Sequence, residues 1–209
     1  ELIELRRDDA DLPTDLVERI KNAGRRVKCR KELELAVLAD DELGISAPIL
    51  LGHSRGGLVA ALSARVLDGV SAVITMGTPT DLVRISEQEL KQWRADGRRE
   101  IVNARTGEVL YQDVEVLEDY LQQGDAYSAP LALQEAGVAV LAIHGAEDEA
   151  VDFASAEVLL AGVDSQQARK IIVAGAGHTF GLTHPFTGPH PHAQKVIEEI
   201  LSWLGEDRR

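Results

Sequence analysis

Cysteine is almost missing from this chain of 209 residues, Cys29 being the only one. A single thiol cannot close an intramolecular disulfide, so the fold has to rest on its core, and the scarcity suits a reducing, cytoplasmic setting. Long apolar runs are missing too. No stretch reaches the roughly 18 residues that a membrane-crossing helix needs, and Glu1 to Arg7 does not read as a signal peptide. The chain opens at Glu1 rather than Met, which is compatible with a processed or truncated start. Positive charge is in deficit: 22 Lys and Arg face 35 Asp and Glu, a formal net charge of −13. A phosphate backbone would be repelled, so nucleic acid is not an expected partner. Repeats and low-complexity tracts are absent as well. What remains is 44% hydrophobic and 27% charged, the balance of a soluble globular protein, and one domain over residues 1–209 is the expectation.

The chain is organised around Ala47 to Leu67. Pro48-Ile49-Leu50-Leu51 has the length and composition of a buried strand. Gly57 to Leu67 is rich in Ala and Leu with no breaker, and reads as a helix. Between them stands Gly52-His53-Ser54-Arg55-Gly56, a Gly-x-Ser-x-Gly pattern. A strand that passes at once into a helix makes a sharp turn, and Gly52 and Gly56 are expected to remove Cβ atoms that would collide there. The turn lifts the Ser54 hydroxyl above the sheet, at a helix N-terminus whose free N–H groups can hold an oxyanion.

Residues 1–46 are dense in charge and suggest two helices, from Pro13 to Gly24 and from about Val27 to Leu43. After the central helix, Val70 to Met76 reads as a second strand ending at Gly77-Thr78-Pro79-Thr80. Residues 81–135 turn polar and carry Trp93, Tyr111, Tyr120 and Tyr127; a small lid insertion is expected there. Inside it, Ser86-Glu87-Gln88-Glu89 reads as a helix start, and Asn103 to Glu108 as a turn between two short strands. Regular alternation then resumes, with a strand at 138–143, a helix at 153–161, a strand at 170–174 and a helix at 191–204. The near-continuous apolar strands predict an α/β fold, a mostly parallel sheet flanked by helices.

A serine hydroxyl attacks only when a base takes its proton, and the base works best when a carboxylate orients it. Catalytic groups in such sheets sit beyond the carboxyl ends of strands. Beyond strand 138–143 comes His144-Gly145-Ala146-Glu147-Asp148, and beyond strand 170–174 comes Gly175-Ala176-Gly177-His178. Ser54, Asp148 and His178 are therefore the candidate nucleophile, acid and base, with Glu147, Glu149 and Asp152 as neighbours able to replace Asp148. His144 is expected to be structural, and His53 to pack in the turn, pointing away from substrate. His184, His190 and His192 alternate with prolines and lack a Cys or carboxylate at ligand spacing, so a solvated loop is expected rather than a metal site. Cys29 reads as inert.

These three segments together resemble the α/β-hydrolase superfamily, most closely its dienelactone-hydrolase-like and serine esterase branches, over roughly residues 45–204. The resemblance implies Ser54 as nucleophile, His178 as base, Asp148 as acid and the backbone N–H of Arg55 as one oxyanion donor, with no cofactor and no metal. Family members carry several strands before the serine turn, and a loop among them gives the second oxyanion donor. Residues 1–46 hold neither a clear apolar strand nor a His-Gly loop. A shortened N-terminal part would leave one side of the serine strand unpaired, so a homo-oligomer is expected. The expected function is hydrolysis of a small-molecule ester with a small to medium acyl group, with Trp93 among the candidate pocket walls. The alternatives are a thioesterase or peptidase with the same triad, or a weakly active or inactive binding module.

Overall fold

The computed structural model describes residues 47–81, 86–102 and 107–205. The two helices expected before Gly44, Cys29, the front of the sheet and positions 103–106 of the expected turn lie outside these residues.

Four strands form one parallel sheet. They are β1 (Ile49–His53), β2 (Ala72–Met76), β5 (Ala139–Gly145) and β6 (Ala168–Val173), in the order β1-β2-β5-β6. The register runs Ile49 against Ala72 and Ala72 against Ala139, so β1, β2 and β5 start level, and β5 extends two residues past the ends of the other two. Alternate side chains serve opposite faces. Val73 and Val140 join Leu58, Leu62, Leu133 and Leu159 on one face, whereas Ala72, Ile74, Leu141 and Ile143 join Val196 and Trp203 on the other. Strands buried on both faces need to be apolar throughout, which is why the central pair β2 and β5 lacks polar alternation.

Helix α1 (Arg55–Val66) comes directly after β1, and eight consecutive residues from Gly57 to Ala64 are buried. A helix apolar all round must be covered on all sides. The sheet covers one side, and α4 (Ala129–Ala136) packs along another, with Ala129, Ala132 and Leu133 fully buried. On the opposite face of the sheet lies α6 (Pro191–Gly205), and α5 (Ser155–Leu160) sits between β5 and β6 in the chain.

The segment between β2 and β5 begins with a small unit of its own. Helix α2 (Glu87–Asp96) opens with a capping box: the Ser86 N–H donates to Glu89 Oε2 at 2.8 Å, and the Glu89 N–H donates to Ser86 Oγ at 3.3 Å. Gly97 closes it in the left-handed conformation, φ 71°, and leads into the antiparallel pair β3 (Arg98–Val102) and β4 (Val109–Asp113). Helix α3 (Val114–Gln123) and a 3₁₀ turn (Gly124–Tyr127) then return the chain to α4. The sequence reading of 81–135 as a polar cover did not anticipate α3 or α4, and α4 is core rather than cover.

Candidate active site

The site is built where three strands end. Only Ser54 separates the last residue of β1 from the first of α1, and it adopts φ 54°, ψ −125°. That left-handed φ costs a non-glycine residue about 1–3 kcal/mol. Its N–H still donates to Met76 O at 2.7 Å, continuing the pairing with β2. Gly52 is tight for the expected reason: a Cβ there would run into the backbone of Gly56 and Gly57. Gly56 is not tight, since a Cβ at that position meets open space among the described residues. The second tight position is instead Gly57, where a Cβ would strike the Thr78 hydroxyl.

His178 comes from the loop after β6. Its backbone is fixed on both sides, by Ala176, which is fully buried and whose carbonyl accepts from Glu147 N at 2.9 Å, and by Phe180, which is 5% exposed. The imidazole spans the gap between the other two groups, with Nε2 3.0 Å from Ser54 Oγ and Nδ1 2.8 Å from Asp148 Oδ2. With a carboxylate on Nδ1, that nitrogen carries the proton and Nε2 is left to accept from the serine.

Asp148 lies just beyond β5, and its side chain is 0% exposed. Oδ1 accepts the N–H groups of Ala150 at 2.9 Å and Val151 at 2.8 Å, which turns Oδ2 toward His178. Burial by itself would raise this carboxyl, but the hydrogen bonds from His178, Val151 and Ala150 and the charge of His178 outweigh it and hold Asp148 below the ordinary carboxylate range. Glu147, Glu149 and Asp152, the open alternatives in the sequence, are exposed. Asp152 is occupied in accepting from the Ala154 N–H at 2.9 Å. Of the four carboxylates, only Asp148 faces the imidazole.

Three further residues meet this line: His144, expected to be structural, Gly77, which sequence reasoning missed, and His53, which it read differently. His144 is 1% exposed. Its Nε2 lies 3.0 Å from Val151 O and 3.2 Å from Asp148 Oδ2. A carbonyl can only accept, so His144 carries its proton on Nε2 and points it at the turn that holds Asp148. Gly77, at φ 53°, passes directly beneath the imidazole-carboxylate pair: a Cβ there would lie 3.3 Å from both Asp148 Oδ2 and His178 Nδ1. It stands at the end of β2, so inspecting the residue beyond each strand, early ones included, is the signal that finds it. His53 does not point idly away but reaches the loop of His178, at 2.7 Å from its main-chain oxygen.

Arg55 is the first residue of α1 with its side chain exposed, so its N–H belongs to the free end of the helix beside Ser54. Trp93 is a correction to the expected pocket wall. It is 1% exposed, donates from its indole N–H to Gln112 O at 3.1 Å and lies under the Arg99 guanidinium at 4.0 Å. It joins α2 to the β3–β4 hairpin, and the cavity it borders there, with Glu89, Gln92 and Tyr111, includes none of Ser54, Asp148 and His178. His190 and His192 pack ring edge to face at 4.8 Å, and among the described residues no three metal-binding side chains converge. No helix of the described residues is long and apolar enough to cross a membrane.

Comparison with known proteins bears on the fold. The model of the alpha/beta hydrolase family matches residues 6–191. No curated protein matches the chain. Among solved structures, the esterase domain of a Rhodothermus marinus protein is similar at 18% identity and TM-score 0.58, over 91% of this chain and 80% of that one. A monoacylglycerol lipase from Paleococcus ferrophilus is similar at 16% identity and TM-score 0.58, over 91% of this chain and 87% of that one. At such identities the likeness is one of fold.

Proposed function

The chain belongs to the alpha/beta hydrolase family, and from that premise we propose that it is a serine hydrolase acting on carboxylic esters with small to medium acyl groups. The observation that carries this reading is the continuous line from Ser54 Oγ to His178 Nε2 at 3.0 Å and from His178 Nδ1 to Asp148 Oδ2 at 2.8 Å. In the first step Ser54 Oγ attacks the ester carbonyl carbon while His178 Nε2 takes its proton. The carbonyl π electrons move onto oxygen, and the resulting oxyanion is held by the Arg55 N–H at the α1 N-terminus. The ionised Asp148 keeps the imidazole in the required tautomer and stabilises the imidazolium as it forms. Collapse of the tetrahedral adduct expels the alkoxide, which takes the proton from His178 and leaves as the alcohol. Water then repeats the sequence on the acyl-serine, releasing the carboxylic acid and restoring Ser54.

The deciding experiment compares the protein with its Ser54→Ala variant on p-nitrophenyl esters from acetate to octanoate. Loss of the nucleophile should lower kcat by a factor of about 10⁴ or more with folding unchanged, because the triad acts as a unit. Equal rates in the two proteins would overturn the assignment. A folded wild type inert on the whole series would leave the binding-module reading in its place.

A further inference from the structure

Both ring nitrogens of His178 are engaged, one by Ser54 and one by Asp148. What aims the ring at them is the backbone beneath it. The flanking anchors, buried Ala176 and Phe180, stand two residues away on either side. Between them, the His178 carbonyl takes a hydrogen bond from His53 Nε2 at 2.7 Å. A carbonyl has no proton to give, so His53 is the donor, with its proton on Nε2. The His53 ring lies against that of His178, centroids 4.8 Å apart and tilted by 48°, and meets Phe180 edge-on at 6.2 Å. His53 is also the last residue of β1, adjacent to Ser54. One side chain therefore links the strand that ends in the serine to the peptide unit of the imidazole, across 125 residues of sequence.

We propose that His53 is a positioning residue for the base: the hydrogen bond from its Nε2–H to the His178 carbonyl fixes the base-bearing loop relative to the serine turn. This deepens the assignment of His178 as base and rests on it. The tie supplies orientation rather than a proton, because it ends on main chain. Its worth lies in how sharply proton transfer depends on placement, since a 1 Å error in a reacting group costs on the order of a hundredfold in rate. Substrate binding, which does not require the Nε2 to Oγ alignment, is left largely untouched.

Three variants separate this from a packing role. His53→Phe keeps a ring of similar size and drops the donor. His53→Gln extends its amide nitrogen to about the place of Nε2, and His53→Asn is polar but falls short of the carbonyl. Each is measured for kcat and KM on the ester that the wild type hydrolyses best, and for backbone hydrogen exchange in residues 175–182. The expected result for Phe and Asn is a kcat lower by about tenfold to a hundredfold, with KM within about threefold and exchange in 175–182 distinctly faster. Gln should recover most of both. Wild-type values in the Phe variant, or a Gln variant no better than Asn, would overturn the proposal; the second comparison decides the matter if the Phe variant does not fold. The readouts also separate two failures. A wild type inactive on every ester would count against the hydrolase assignment, while exchange in the same loop would still support or refute the tie.

Discussion

At the scale of single residues, the site depends on a side chain that is not there. Gly77 leaves room under the contact between His178 and Asp148, at φ 53° that disfavours any Cβ. Gly77→Ala should cost about 1–2 kcal/mol through backbone strain. It should also cost more in rate than in stability, because the methyl group arrives 3.3 Å from Asp148 Oδ2 and His178 Nδ1. Urea unfolding and ester kinetics on the same preparation would check this; a variant with lowered stability and unchanged kcat would refute it. The chemical groups of the line were legible in the sequence, since Ser54, Asp148 and His178 each lie just beyond an apolar strand, Ser54 within Gly-x-Ser-x-Gly and His178 after Gly175-Ala176-Gly177. Gly77 can be picked out as the residue beyond β2, but its role cannot, because that role exists only where the ends of β2, β5 and β6 converge. The tie from His53 was hidden for the same reason, and Trp93 was misplaced because an aromatic in a polar segment reads equally well as wall or as core.

At the scale of elements, the stretches with one dominant pattern were read correctly. The Ala- and Leu-rich α1 and the capping box of α2 are set by local chemistry, and they form where that chemistry predicts. Helix α4 was lost in the average polarity around it, although Ala129, Ala132 and Leu133 already show the i, i+3, i+4 spacing of a buried face. Ser128 caps it by accepting from the Leu131 N–H at 3.4 Å, and Gly137 ends it at φ 61°. Its weight in the core gives a direct prediction. Leu133 is fully buried against the cluster of Leu58, Leu62 and Leu159, so Leu133→Ala should destabilise by about 2–5 kcal/mol, seen as a lower urea midpoint with kcat per folded molecule retained. A loss below about 1 kcal/mol, less than emptying a packed site costs, would mean that α4 covers the core without belonging to it.

At the scale of the whole molecule, the parallel α/β class was visible in the doubly apolar strands, whereas the order β1-β2-β5-β6 depends on pairing that no local pattern encodes. Global stability should carry the signature of the site. The Asp148 carboxyl is held below its ordinary 3.8 in the folded state despite burial, by hydrogen bonds from His178, Val151 and Ala150. Its ionised form therefore favours the native state: the stabilisation is complete above about pH 5 and is lost as pH falls through the unfolded value toward the folded one. Asp148→Asn removes this contribution, so the stability gap between wild type and variant should be widest near neutrality and close on acidification; a gap independent of pH would refute it. The strand order has one more consequence. The partners of His178 stand 124 and 30 residues away along the chain, on loops separated by the intervening β2. A fragment that stops short of β6 lacks His178 and cannot hold the three together. Under the proposed reaction, the line from serine to base closes only once the last strand of the described sheet has docked, so it is among the latest contacts that folding can make.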